Sequence, residues 1–328
     1  MKFSDVLDIR NGRNQRQVEN ENGKYPIYGS GGIMGRATDF ICDAGTVVIG
    51  RKGSINNPIF VDEPFWNVDT AFGLVAHRDV LLPKYLFYFC VNFDFERLNT
   101  TVTIPSLTKA NLLQIEINVP DMDEQRRVVS ILDKICQLID LQQQELHSLD
   151  QLVKSRFIEL FGDPETNPKG WTRQRLDQIC ENLDSRRVPI TSTNRKAGNY
   201  PYYGASGIVD YVKDYIFDED ILLISEDGAN LVMRSTPIAF SVSGKVWVNN
   251  HAHVVRFESK ATQKYIEICF ALTDISGSIT GTAQPKLNQA KLNAMMFCVP
   301  PIELQEQFAT FVEQTDKSKL CGKMEVAA

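Results

Sequence analysis

Two periodicities alternate along the chain. In residues 1–120 and 162–300, short β-branched and aromatic runs are broken by Gly, Asn and Asp, as in Phe40-Ile-Cys-Asp-Ala-Gly-Thr-Val-Val-Ile-Gly50 and Phe217-Asp-Glu-Asp-Ile-Leu-Leu-Ile-Ser225. Such runs predict many short strands. Helical spacing there is confined to pieces such as Lys84–Val91 and Lys264–Leu272. From Asp123 to Phe161 the pattern changes: Leu132, Ile135, Ile139, Gln142, Leu146, Leu149 and Val153 recur at alternating steps of three and four. That is a coiled-coil seam. No Gly or Pro interrupts it, and Gly162-Asp-Pro ends it. A helix of that length spans about 58 Å, and one with a single apolar stripe needs a partner. The natural partner is a second, curtailed helix after Pro300, from about Glu303 to Lys319. The expected fold class is α+β: two mixed α/β domains (1–120 and 162–300) separated by a long helix (121–161), with a shorter distal helix (301–328) packing antiparallel to it.

The two domains are copies of one unit. Tyr25-Pro-Ile-Tyr-Gly-Ser-Gly-Gly-Ile33 recurs 175 residues later as Tyr200-Pro-Tyr-Tyr-Gly-Ala-Ser-Gly-Ile208, and Thr46–Ser54 aligns with Ile221–Ala229 at the same offset. Trp66-Asn-Val-Asp-Thr-Ala71 is matched by Trp247-Val-Asn-Asn-His-Ala252, so the second copy holds extra loop residues. Each copy closes alike, Ile104–Leu112 against Ala283–Leu292, then a Val-Pro at 119–120 and 299–300, then a helix with Gln125 opposite Gln305. A repeat at fixed offset outranks any propensity argument.

Composition adds bounds. The 328 residues are 43% hydrophobic and 23% charged, enough for two domains with cores. No stretch is long and apolar enough to span a bilayer, so a cytoplasmic protein without membrane contact is expected. The seven cysteines are scattered singly, without zinc spacing; they read as reduced, mostly buried small residues. His251 and His253 share a strand face without an evident third ligand, so a bland strand outweighs a metal site. The net charge of −6 argues against a nucleic-acid partner only until it is divided. Residues 1–120 carry 12 basic and 13 acidic side chains and residues 162–300 carry 15 of each, so the acidic excess lies in the helical segments. A near-neutral domain can still present one basic face.

The repeated domain, the Tyr-Pro-x-Tyr-Gly motifs and the junction Phe161-Gly-Asp-Pro-Glu-Thr-Asn-Pro-Lys-Gly-Trp171 resemble the specificity subunit of Type I restriction-modification systems across nearly the whole chain. The resemblance implies two target-recognition domains, each reading one half of a bipartite double-stranded DNA site. It also implies paired helices that set the spacing, and methyltransferase and restriction subunits that bring the chemistry. The chain itself would be non-catalytic and cofactor-free. The distal helix is shorter than that family's usual one, which leaves open self-association of two chains in place of one complete subunit. Leu132, Ile135, Ile139, Leu146, Leu149 and Val153 are the expected contact seam.

Candidate DNA contacts follow from residue type. Ser30 and Ser206 sit in Gly-rich loops where the backbone can approach another surface, a packed structural turn being the alternative reading. Arg10, Arg13, Arg16, Arg36, Arg51 and Lys52 in the first copy, and Arg186, Arg187, Arg195 and Lys196 in the second, lie near those turns; each suits guanine O6/N7 or phosphate, or is simply a solvated charge. Arg51-Lys52 is replaced by Glu226-Asp227 at the aligned position, so this turn is expected to set half-site identity, Glu226 accepting from cytosine N4. Lys109, just after Pro105-Ser-Leu-Thr108, and Lys286 and Lys291 in the corresponding segment are expected to position phosphates. Trp66 and Trp247 read as core anchors. A stand-alone DNA-modifying enzyme is disfavoured: no cofactor loop leads into an amphipathic helix, and Glu258-Ser-Lys260 lacks the upstream carboxylate of a nuclease. A coiled-coil scaffold that does not read DNA remains the other class.

Overall fold

A computed structural model describes residues 1–99, 105–281 and 283–327, with only the backbone given for 321–327. Ile104 of the first closing motif and Ala328 of the distal segment lie outside the described residues, as does the side chain of Cys321. The chain divides into two compact units, 1–140 and 141–328, and the division falls inside the long helix, Met122–Phe161. Each half of that helix packs on its own unit.

The first unit holds β1 (Leu7–Asn11), β2 (Tyr25–Gly29), β3 (Gly32–Ala37), β4 (Thr46–Gly50), β5 (Ile59–Val61), β6 (Trp66–Asn67) and β7 (Ala71–Ala76). One antiparallel sheet runs β1-β7-β4-β5, and a second runs β3-β2-β6 with β6 parallel to β2. All five residues of β4 are buried, as its unbroken apolar run requires of a strand covered on both faces. On one face lie Leu86 and Cys90 of helix Pro83–Asn92, with Phe3, Ile49, Leu74 and Phe95. On the other lie Val48, Cys42 and Phe65.

The long helix joins this unit through Gln125, which is fully buried. Its Oε1 accepts from Leu82 N at 2.9 Å, and its Nε2 donates to Val80 O at 2.8 Å and Pro120 O at 2.9 Å. Gln125→Ala strands these backbone groups, so a loss of about 1–3 kcal/mol is expected in urea denaturation of the full chain. A loss below about 0.5 kcal/mol would show that water replaces the amide.

The second unit repeats the plan with β8 (Arg173–Arg175), β9 (Glu181–Asn182), β10 (Ala197–Gly204), β11 (Gly207–Val212), β12 (Phe217–Asp218), β13 (Ile221–Ser225), β14 (Ala239–Val242), β15 (Lys245–Val248), β16 (Ala252–Arg256) and β17 (Met296–Cys298). Its sheets run β14-β13-β16-β9 and β11-β10-β15-β12, again with one parallel pair, β10 and β15; β17 pairs with β8. Even the register shift inside the hairpin recurs, between Ile27 and Tyr28 and between Tyr202 and Tyr203.

Val153, Phe157 and Phe161 of the long helix are buried in this second core with Tyr265, Phe308 and Val312. The helix Ile302–Ala327 runs antiparallel to it: Phe308 packs on Phe157 and Phe161, whereas Lys319, further along, reaches back to Asp150 at 2.8 Å. This helix continues past the expected stop at Lys319, because Gly322 is followed by Lys, Met and Glu, which favour helix. The seam is not uniform. Val153 is buried and Leu132, Leu146 and Leu149 are half-buried, but Ile135 and Ile139 are 45% and 39% exposed, beside exposed Ile131, Leu138 and Leu141.

The junction motif proves to be a helix stop. Gly162 takes φ +78°, the left-handed conformation that ends helices. Trp171 Nε1 donates to Phe161 O at 2.8 Å, and Lys169 Nζ donates to the carbonyls of Glu159 and Leu160 at 2.6 and 2.9 Å. Carbonyls that the last turn leaves open are thus occupied.

Candidate nucleic-acid interface

In each unit, three segments distant in sequence meet at one edge of the sheets. The first is the hairpin tip. β2 and β3 are joined by Ser30-Gly31, and β10 and β11 by Ala205-Ser206, with Gly32 at φ +121° and Gly207 at φ +129° closing the turns. Only glycine adopts these angles without strain. The second segment is the turn that ends β4 or β13, Gly50–Gly53 or Ser225–Gly228. The third is the stretch ahead of a short capped helix, 105–108 or 285–288. Thr108 and Asn288 are the caps, accepting from the backbone N–H of Asn111 and Lys291.

Backbone bonds hold these segments identically in both copies. Gly53 N donates to Pro105 O and Gly228 N to Pro285 O; Leu107 N donates to Arg51 O and Leu287 N to Glu226 O; Arg51 N donates to Thr70 O and Glu226 N to His251 O. Trp66 and Trp247 complete the scaffold, each indole N–H donating to the loop before the hairpin, at Arg13 O and Val188 O. The tip touches the turn as well: a Cβ on Gly50 would lie 3.0 Å from Ser30, and Ser225 Oγ donates to Ala205 O. Ile33 and Met34, and their counterparts Ile208 and Val209, are exposed just beyond the tips.

Of the residues expected to contact DNA, Ser30, Arg51 and Lys52 come together at this edge in the first unit, and Ser206, Glu226 and Lys286 in the second. Arg13 is joined to the edge by its N–H on Asn67 O. Arg10 and Arg16 are exposed on β1 and on the following turn, and Lys196 and Lys291 also lie away from the tips. Arg36 holds the carbonyls of Gly23 and Lys24, at 2.6 and 2.8 Å, far down the hairpin leg. Arg195 lies over the Tyr202 ring, 4.4 Å from its centroid, and pairs with Asp210. Lys109 Nζ donates to Ile9 O at 2.9 Å, and Arg186 pairs with Glu219 at 2.7 Å while lying over Phe217. These four basic residues are occupied within the fold.

The most consequential departure from expectation lies beneath the second turn. In the first unit, Arg51 lies over the ring of Phe72, which faces Asn11 across the strands. In the second, the corresponding region is ionic. His253 is buried, with Nδ1 2.6 Å from Asp184 Oδ2 and Nε2 2.7 Å from Leu287 O. Arg187 Nη1 donates to Glu226 Oε2 at 2.7 Å, and Lys286 Nζ lies 3.1 Å from Glu226 Oε1. Both oxygens of Glu226 are therefore engaged, and its side chain is only 12% exposed. The structure thus places the Glu226 carboxylate, expected to accept from cytosine N4, in ion pairs within the turn. Burial raises the Glu226 pKa, but Arg187, His253 and Lys286 outweigh it and hold it below the usual range.

Arg187 is likewise a structural cation, 13% exposed. Sequence reading passed over Thr70 and Ser106, which sit at the edge as uncharged residues without a motif. It also treated His251 only as a metal candidate. His251 is half exposed, with Nδ1 3.0 Å from both carboxylate oxygens of Asp227. Among the described residues no group of three or more His, Cys, Asp or Glu side chains could hold a metal ion, and no helix is long and apolar enough to cross a membrane.

Comparison with known proteins is consistent with this duplicated plan. The profile of the family described as "Type I restriction modification DNA specificity domain" matches residues 1–151 and 168–322. A Haemophilus influenzae sequence assigned as a type I restriction enzyme specificity subunit is 32% identical over a stretch covering 42% of this chain and 35% of that protein. The type I restriction enzyme EcoprrI specificity subunit of Escherichia coli is 24% identical, the match covering 96% of this chain and 87% of that one. The crystal structure of the Type-I restriction-modification system S subunit from M. genitalium shares the fold with a TM-score of 0.65 at 17% identity, over 100% of this chain and 91% of that one.

Proposed function

The chain belongs to the Type I restriction-modification DNA specificity family, and from that premise we propose that each unit reads one half of a bipartite duplex through its three-segment edge. One observation carries the reading: the backbone bonds of the edge are the same in both copies, while its side chains change from Arg51-Lys52 to Glu226-Asp227. A fixed scaffold with substituted tips is what two different half-sites require of one duplicated reader. Exposed Ile33, Met34, Ile208 and Val209 suit the thymine methyl in the major groove, and Arg51 and Lys52 suit guanine or phosphate. Arg10, Arg13 and Arg16 extend the basic surface of the first unit, and Lys196 and Lys291 that of the second.

The subunit is non-catalytic in this reading, working in the cytoplasm. Methyltransferase subunits dock on the exposed apolar positions from Ile131 to Leu141 of the long helix, the restriction subunit joins that assembly, and the helix sets the gap between half-sites. Domain limits of 1–120 and 162–300 serve this purpose, with 121–161 and 301–328 as the helical elements.

The test is a genome-wide adenine-methylation map of the source strain with and without the gene. Loss of one motif, two short specific blocks around a fixed nonspecific gap, is the expected outcome. An unchanged map, together with DNA binding that does not weaken as salt rises, would leave the scaffold class standing instead.

A further inference from the structure

The differing charges at the two edges raise the question of which side chain in the second unit meets a base. We propose that it is His251, held in place by Asp227, and that Glu226 serves only to position the turn; this rests on the DNA-specificity reading above. The edge positions correspond one to one by their backbone bonds: Arg51 to Glu226, Lys52 to Asp227 and Thr70 to His251. Lys52 bridges Ser106 just as Asp227 bridges Lys286.

In the second unit, Glu226 is withdrawn by Arg187 and Lys286, and Asp227 is turned onto the imidazole. Among the described residues of this edge, Ser206 and Asn250 are exposed, and the two outward ionisable groups beside the turn are the His251 ring, 50% exposed, and the Lys286 ammonium, 49% exposed. Lys286 is already engaged by Glu226.

A carboxylate only accepts, so the Asp227 contact at 3.0 Å to each oxygen places the proton on His251 Nδ1. With Nδ1 held by Asp227, the ring turns Nε2 outward in a fixed direction, with no partner among the described residues; as the Nδ1–H tautomer it offers Nε2 as an acceptor. His251 N is also tied to Asn249 Oδ1 at 2.8 Å, which limits the backbone beneath it. An outward acceptor fits an exocyclic amine in the major groove, adenine N6 or cytosine N4. Thr70 at the matching position of the first unit has a hydroxyl that both donates and accepts. The two units therefore differ at this position in hydrogen-bonding character.

The test replaces His251 in the full chain in its source cells and maps adenine methylation. His251→Thr installs the residue that the first unit carries there. Genomic sites that differ from the motif at one base pair of one block, A·T or C·G, are expected to gain methylation about tenfold, with the other block and the gap unchanged. Asp227→Asn, which removes the charge that orients the ring, is expected to relax the same base pair and no other. Should His251→Thr fail to accumulate, Asp227→Asn carries the same test. The proposal is overturned if both maps match the wild type, or if methylation is lost evenly at every position while the chain accumulates normally, the mark of a purely structural role. A wild-type map that does not respond to deletion of the gene would instead overturn the DNA-specificity reading, and this inference with it.

Discussion

Replacing Asp184 with alanine is expected to destabilise the second unit by about 3–5 kcal/mol, the range for removing one partner of a buried ion pair. The Asp184 side chain is 5% exposed and accepts from Val254 N at 2.8 Å as well as facing His253 at 2.6 Å, with Arg187 3.4 Å away. Without it, His253 and Arg187 lose a carboxylate that water cannot easily replace. The effect depends on pH in a definite direction. Burial raises the Asp184 pKa, but the His253 and Val254 hydrogen bonds and the Arg187 charge outweigh it, so the folded value lies below the ordinary carboxylate range. A lowered carboxylate pKa stabilises the fold above the unfolded value, about 3.9, and that stability is lost as pH falls through the folded value. Urea denaturation at neutral pH should show the full deficit, and the gap between wild type and variant should narrow below about pH 4. A deficit under 1 kcal/mol at neutral pH would mean that the cluster is hydrated.

Phe157→Ala is the second large effect, about 3–5 kcal/mol for truncating a buried phenylalanine. Its ring is fully buried, stacked on Tyr265 at 5.2 Å and edge-on to Phe161 and Phe308 at 5.0 and 5.5 Å. One truncation therefore opens a cavity shared by the long helix, the C-terminal helix and the helix Lys260–Leu272. Faster proteolysis within the C-terminal helix should accompany the loss of stability. Ile135→Ala on the same long helix, at a site 45% exposed, should change stability by no more than about 0.5 kcal/mol. Equal losses from the two substitutions would contradict this placement of the core.

The duplication and the long helix were legible because both are one-dimensional signals: a copied motif at constant offset, and apolar residues at steps of three and four. The meeting of the hairpin tip, the turn and the closing segment was only partly legible. Sequence placed Ser30 and Arg51 in loops, but their contact depends on β6 lying parallel to β2, a crossover that no local pattern announces. The ionic cluster is illegible in the sequence for a different reason. Arg187 and Glu226 are 39 residues apart, and composition rules assign isolated charges to the surface. Nothing local marks them as partners. The distal helix runs past Lys319 to Ala327 because a single glycine costs a helix only about 1 kcal/mol.

The ionic cluster under the second turn also constrains how the two units can change over generations. In the first unit Arg51 rests on an aromatic ring, so exchanging it for another polar residue disturbs one contact, and single substitutions can explore new targets. In the second, an arginine at position 226 would face Arg187, Lys286 and the buried His253 ring, and the unit would lose stability before it gained any new preference. Substitution at 226 is therefore coupled to 184, 187 and 253, whereas His251 at the rim of the cluster can change alone. One duplicated architecture thus ties the turn of one half to a buried ionic cluster and rests that of the other on a single ring.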